Sequence, residues 1–222
     1  MRNQMTQASF RDMTVGQIAA TVPGATRVFR EFKLDFCCGG DVPLREAAAR
    51  NALDINCIEE RLAALDPASS PDTATDTVTL IDHILSRYHE THRQELPELV
   101  RLSRRVEAVH NDHPDAPRGL ASTLEGAYQF LDDHMRKEEA ILFPAMKAKA
   151  GVPLGPPITQ MRHDHDGHAD LLHQLERLTN GFTPPSGACR SWRALYAGVA
   201  KFVDDVKEHI HLENNVLFPR FE

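Results

Sequence analysis

Little in this sequence marks it for secretion, a membrane or nucleic acid. Four cysteines in 222 residues, two of them adjacent, do not make a disulfide framework. No run approaches the roughly 18 apolar residues that span a bilayer, and the opening MRNQMTQASF lacks the apolar stretch of a leader peptide. Basic residues are outnumbered 25 to 32, for a formal charge of −7. That balance argues against nucleic acid or an anionic membrane as the main partner. No segment alternates convincingly at period two, so a sheet is not expected. The expectation is a cytoplasmic, all-helical chain with reduced thiols. At 24.9 kDa and 41% apolar residues it has room for one large domain, or a medium one with a small companion.

What is abundant is histidine, with twelve in the chain. A break at Asp66–Asp76, DPASSPDTATD, has linker composition. The expected organisation is therefore a small helical domain over 1–66, a linker over 67–76 and a larger helical domain over 77–222. In the small domain Thr14, Pro23, Pro43 and Asp54 each stand where a short helix can begin. In the large one, helical periodicity runs over about 77–110, 119–148, 157–180 and 187–220. The connections HNDHPDAPRG, GVPLGPP and GFTPPSG are rich in turn formers. These lengths predict an up-down-up-down four-helix bundle, with Pro97, Pro144 and Pro219 each placed to kink or end its helix.

An internal repeat carries the most information. DHMRKEEAILFPAM (133–146) aligns with EHIHLENNVLFPRF (208–221), pairing His134 with His209 and Glu138 with Glu213 before a shared Leu-Phe-Pro. A weaker echo pairs RYHETH (87–92) with HDHDGH (163–168), matching His89 with His165 and His92 with His168. Each His-x-x-x-Glu places its two side chains about 6 Å apart along one helix face. The neighbours on those faces are apolar: Phe130, Leu131, Ile141 and Leu142 on one helix, Phe202, Val206, Val216 and Leu217 on the other.

Carboxylates in a bundle core are costly unless paired or bound to metal. Two carboxylates and four neutral imidazoles suit two divalent metals about 3.5 Å apart. The glutamates would bridge, and histidines would complete each side. Mixed nitrogen and oxygen donors fit iron, manganese or zinc, and a symmetric pair with open positions favours iron and redox chemistry. A lone core histidine is more often a hydrogen-bonded packing residue, and a single His-x-x-x-Glu more often a surface ion pair. Two such pairs in register, with two more histidines at matched spacing, favour metal. His92 and His168 stay ambiguous, since at i+3 they can share the same face. Glu139 yields to Glu138 because its partner in the repeat is Asn214. His83, His110, His113, His163, His173 and His211 are assigned to the surface or to places behind the ligands.

Cys37 and Cys38 lie in Asp-Phe-Cys-Cys-Gly-Gly, and adjacent cysteines rarely bridge each other. The glycines let the backbone turn and leave the sulfurs accessible. Arg27, Arg30 and Lys33 nearby would favour thiolate. Such thiolates could bind iron, carry sulfane sulfur or exchange electrons, and the competing reading is an inert buried pair. Cys57 and Cys189 are expected to be packing residues on helices.

The Asp-Phe-Cys-Cys-Gly-Gly module, the linker, and the HMRKEE and HIHLENNVLFPR helices resemble the iron–sulfur cluster repair di-iron proteins, over about residues 10–221. That resemblance implies a ScdA-like N-terminal domain and a hemerythrin-like bundle with a non-haem, oxo- and carboxylate-bridged di-iron centre. Carried over, it implies His89, His134, His165 and His209 as terminal ligands and Glu138 and Glu213 as bridges, the same six residues that spacing selects. It also implies restoration of iron–sulfur proteins damaged by nitric oxide or oxidative stress.

The leading expectation is then an iron donor whose reduced centre releases iron to damaged iron–sulfur proteins, with Cys37 and Cys38 as the working residues that receive iron or dock the client. A reductase turning nitric oxide into nitrous oxide at the same centre is the alternative, and reversible binding of nitric oxide or oxygen is a third reading. A ferritin-like oxidase fits less well, because those sites use Glu-x-x-His and more carboxylates. A homodimer is compatible with the sequence, but no residue argues for it.

Overall fold

The computed structural model describes residues 10–65, 76–148 and 153–222. Nearly all of the expected linker, 67–76, lies outside them. Among the described residues there is no strand, only an isolated bridge between Thr14 and Pro43, so the all-helical expectation holds. By its contacts the chain divides into two compact units.

One unit joins the described residues up to Asp76 with Ile210–Arg220. Four short helices form its first part: α1 (Val15–Thr21), α2 (Ala25–Glu31), α3 (Leu44–Arg50) and α4 (Ile55–Ala63). Thr14 starts α1 with a full capping box. Its hydroxyl accepts from the Gln17 backbone N–H at 3.1 Å, and the Gln17 side chain accepts from the Thr14 N–H. Asp54 caps α4 through the Asn56 N–H at 2.9 Å. Val15, Ile18, Phe29, Phe36, Leu44 and Ile58 make the core.

Two backbones meet closely at Gly16. Its N–H donates to the Gly40 carbonyl at 2.7 Å. A Cβ at Gly16 would strike the side-chain oxygen of Asn215 and come within 2.9 Å of the Gly40 carbonyl. Gly16→Ala is therefore expected to lower stability by about 1–3 kcal/mol. Gly126→Ala is the control. That glycine sits within a helix with nothing near its would-be Cβ, and alanine there should gain about 0.5–1 kcal/mol. Urea midpoints of the two variants should move in opposite directions.

The other unit, Thr77–His209 with Phe221–Glu222, is built on four long helices. The first, α5, runs as Thr77–Ile84, a π-helical turn Leu85–His89 and Glu90–Val109. Next, α6 runs as Leu120–Lys137, a π turn Glu138–Leu142 and Phe143–Lys147. Then come α7 (Gly155–Leu178) and α8 (Arg190–His211). The last helix continues through a third π turn, Leu212–Leu217, to the 3-10 turn Phe218–Arg220. Left-handed residues Asn180, Gly181 and Phe182 turn the chain after α7. Trp192, Leu124, Leu195, Val199 and Phe202 are buried in the core.

Two expectations need correction. Pro97 does not end its helix, since Glu90–Val109 continues past it. Ile141, placed on the core stripe, is 64% exposed, while Leu142 is buried. The π turn holds an extra residue, which carries the following side chains about 100° round the helix.

Candidate metal centre

Three of the four long helices place a candidate residue in a π turn. His89 closes the first such turn, Glu138 opens the second and Glu213 lies in the third. A wide turn loosens the helix ladder and re-aims one side chain, so π turns recur at functional sites. Pro144 and Pro219 stand six residues after the two glutamates. Lacking an N–H, each denies its helix one i→i−4 bond.

Two pairs of imidazoles meet in the core. His89 Nε2 lies 3.1 Å from His209 Nε2, and His165 Nε2 lies 3.1 Å from His134 Nε2. Glu138 stands between the pairs, with Oε2 3.4 Å from His89 Nε2 and Oε1 3.4 Å from His134 Nε2. Each carboxylate oxygen thus serves a different pair. Glu213 follows His209 by one turn on the uninterrupted helix, and all six residues are buried. His89, Glu138 and His209 offer donor atoms within 4.8 Å of one another, as do His134, Glu138 and His165. Two overlapping groups, each of two nitrogens and one oxygen and sharing the Glu138 carboxylate, form a donor set that fits metal binding. Burial drives His209 well below the ordinary imidazole range, and the neutral form is the one that ligates.

The outward nitrogen of His89 is held too. Glu139 Oε1 lies 2.7 Å from His89 Nδ1, and Arg93 grips the same carboxylate at 2.7 and 3.1 Å. Asp164 Oδ2 lies 3.5 Å from His134 Nδ1 and accepts from Lys137 at 3.2 Å, while Asp164 Oδ1 accepts from Gln160 at 2.8 Å. Burial alone would raise both carboxyls. For Glu139 the bonds from Arg93 and His89 outweigh burial and hold it below the usual range. For Asp164, Gln160 and Lys137 do the same. A carboxylate on Nδ1 fixes the tautomer and leaves Nε2 free to ligate. Sequence spacing points to neither residue: Glu139 ranks behind Glu138, and Asp164 carries no signal beyond its place beside His165.

His92 and His168 are buried near the pairs but join neither group of close donor atoms. His211, expected at the surface or behind the ligands, is buried in the other unit, where it meets Phe36 edge-on and hydrogen-bonds Asn215.

The cysteine loop departs from its expected electrostatics. Asp35 folds back over it and accepts from the N–H groups of Cys37, Cys38 and Gly39 at 2.9–3.0 Å, and from the Cys37 thiol at 3.3 Å. Cys37 is buried and Cys38 half-buried. A hydrogen bond with Cys38, burial and the Asp35 charge hold the Cys37 thiol well above its ordinary range, contrary to the expected thiolate. Arg30 instead lies over the Phe36 ring, 6.0 Å from its centroid. Cys57 and Cys189 are both exposed, so neither is the packing residue expected. Asp35→Ala is expected to speed Cys37 alkylation by about tenfold, through loss of the anion and of three N–H bonds. Mass-resolved iodoacetamide labelling at fixed pH measures this.

A helical bundle that encloses such a histidine and carboxylate cluster is a hemerythrin-type cation-binding protein. The model of the hemerythrin HHE cation binding domain matches residues 80–221, and that of ScdA_N, a domain of unknown function, matches 11–66. The iron-sulfur cluster repair protein YtfE of Dickeya chrysanthemi is 49% identical over 214 residues, covering 95% of this chain and 97% of its own. Its namesakes in Edwardsiella ictaluri and Pectobacterium atrosepticum are 46% and 45% identical, each covering 96% of this chain and 97% of its own. The chain belongs to the family of iron-sulfur cluster repair proteins. Among the described residues no helix is long and apolar enough to cross a membrane.

Proposed function

We propose that this chain repairs iron–sulfur clusters damaged by nitric oxide or oxidation, supplying iron from a pair of ions held by His89, His134, Glu138, His165, His209 and Glu213. The observation that carries this reading is Glu138, one oxygen to each histidine pair at 3.4 Å. When bound, the iron pair supplies transferable iron whose affinity depends on its oxidation state.

The residues do the rest. The two carboxylates offset part of the cationic charge of the ions, and the buried imidazoles keep water away. Glu139 holds His89 in the ligating tautomer, and the Asp164 carboxylate stands near the outward nitrogen of His134. In the cysteine loop Cys38 is the more open sulfur. We assign it to meet the client or the departing iron, with Cys37 supporting the loop.

The test is reactivation of a nitric-oxide-damaged iron–sulfur enzyme by iron-loaded protein in the presence of a chelator for free iron. Recovery that needs the loaded protein, and that falls sharply with Cys38→Ser, is the expected result. Sustained nitrous oxide formation without client recovery would replace repair with nitric oxide reduction.

A further inference from the structure

Two buried imidazoles beside the candidate centre have no part in the reading above. His92 follows His89 by three residues and His168 follows His165 by three, so each stands one turn along from a proposed ligand at equivalent places in the repeat. His92 is 1% exposed and His168 3%. The Nε2 atom of each is shut away from solvent and meets no hydrogen-bond partner. The His92 ring lies 5.5 Å from His209, with Phe202 edge-on at 5.6 Å. The His168 ring lies 5.0 Å from His134 and 4.3 Å from Phe130. One such ring therefore flanks each histidine pair, walled by an aromatic side chain.

A buried polar nitrogen without a partner is unfavourable by a wide margin, and the same penalty at two matched positions is hard to ascribe to chance packing. Metal ligation does not relieve it, since neither residue joins the groups whose donor atoms lie within 4.8 Å. An imidazole offers at least one N–H donor. Two such donors in a dry, aromatic-walled setting suit a small molecule with an accepting end atom.

We propose that His92 and His168 receive a small linear ligand at the metal centre, a diatomic such as nitric oxide or an anion such as azide, by donating Nε2–H to its terminal atom. This rests on the reading of the site as a metal centre. The two residues would then tune which small molecules stay there, without holding the ions themselves.

Azide titration of iron-loaded protein, followed by visible absorption, tests the proposal alongside metal content by plasma emission. His92→Leu and His168→Leu remove the donor at similar volume, whereas His92→Gln and His168→Gln keep an N–H. The expected result is unchanged iron content, azide affinity weaker by about tenfold in each Leu variant, and partial recovery with Gln. The Gln variants carry the comparison should a Leu variant fail to fold. Azide affinity within about twofold of wild type in every variant, with iron retained, would overturn the proposal in favour of packing. Loss of iron in folded Leu variants would overturn it in favour of ligation. Wild-type protein that takes up no iron would overturn the metal-centre reading itself, and metal content alone distinguishes that outcome.

Discussion

Glu138→Ala is expected to empty the metal centre, with metal content falling from about two ions per chain to background. Its two oxygens face different histidine pairs at 3.4 Å, so one substitution takes a donor from both positions. Its charge also offsets part of a cationic cluster in a core that water does not reach. Glu139→Ala makes the comparison informative. That residue only orients His89 through Nδ1, and losing such a partner weakens metal affinity by roughly 10–100-fold without abolishing binding. Plasma emission after gel filtration, followed by competition with a chelator of known affinity, separates the two. Equal metal content in Glu138→Ala and wild type would sink the bridging role.

Removing the metal is expected to lower the melting temperature by about 8–16 °C. Ions that bind only the folded chain at a thousand times their dissociation constant contribute about 4 kcal/mol, and each kcal/mol moves a domain of this size by about 2–4 °C. Glu138→Gln should then act with opposite signs in the two states. In loaded protein it weakens a donor and destabilises. In metal-free protein it removes a buried charge while keeping shape, and replacing buried charge is often stabilising by about 1–3 kcal/mol. Differential scanning calorimetry with and without a strong chelator measures both. Destabilisation by Glu138→Gln in both states would show that the carboxylate is structural rather than a ligand.

The repeat made the six central residues legible, because His-x-x-x-Glu at one face, written twice with the same Leu-Phe-Pro after it, is a local pattern that the chain displays directly. The places where the repeat fails are less legible. Glu139 and Asn214 occupy equivalent positions, and the mismatch argues only for Glu138 over Glu139 as the ligand. In the structure Glu139 holds His89, while Asn214 donates to the Cys37 carbonyl at 3.1 Å and Asn215 to that of Phe36 at 3.0 Å. One repeat position thus serves two different partners, each distant in sequence.

The cysteine loop shows the same limit. Counting cations within ten residues pointed to thiolate, yet the charge that acts on Cys37 belongs to Asp35, two residues away and folded back by its bonds to three N–H groups. Sequence proximity sets which charges are available, whereas backbone direction sets which one arrives.

By itself the sequence determined the all-helical class, the caps at Thr14 and Asp54, and the repeat with its two His-x-x-x-Glu pairs, since all of these follow from spacing along a single helix. Only the tertiary structure decided which carboxylates stand behind the histidines, which cysteine is buried, and where the helices widen into π turns. Those depend on what other segments bring to the same few ångströms, and on one extra residue in a turn that a pattern of period 3.6 does not reveal.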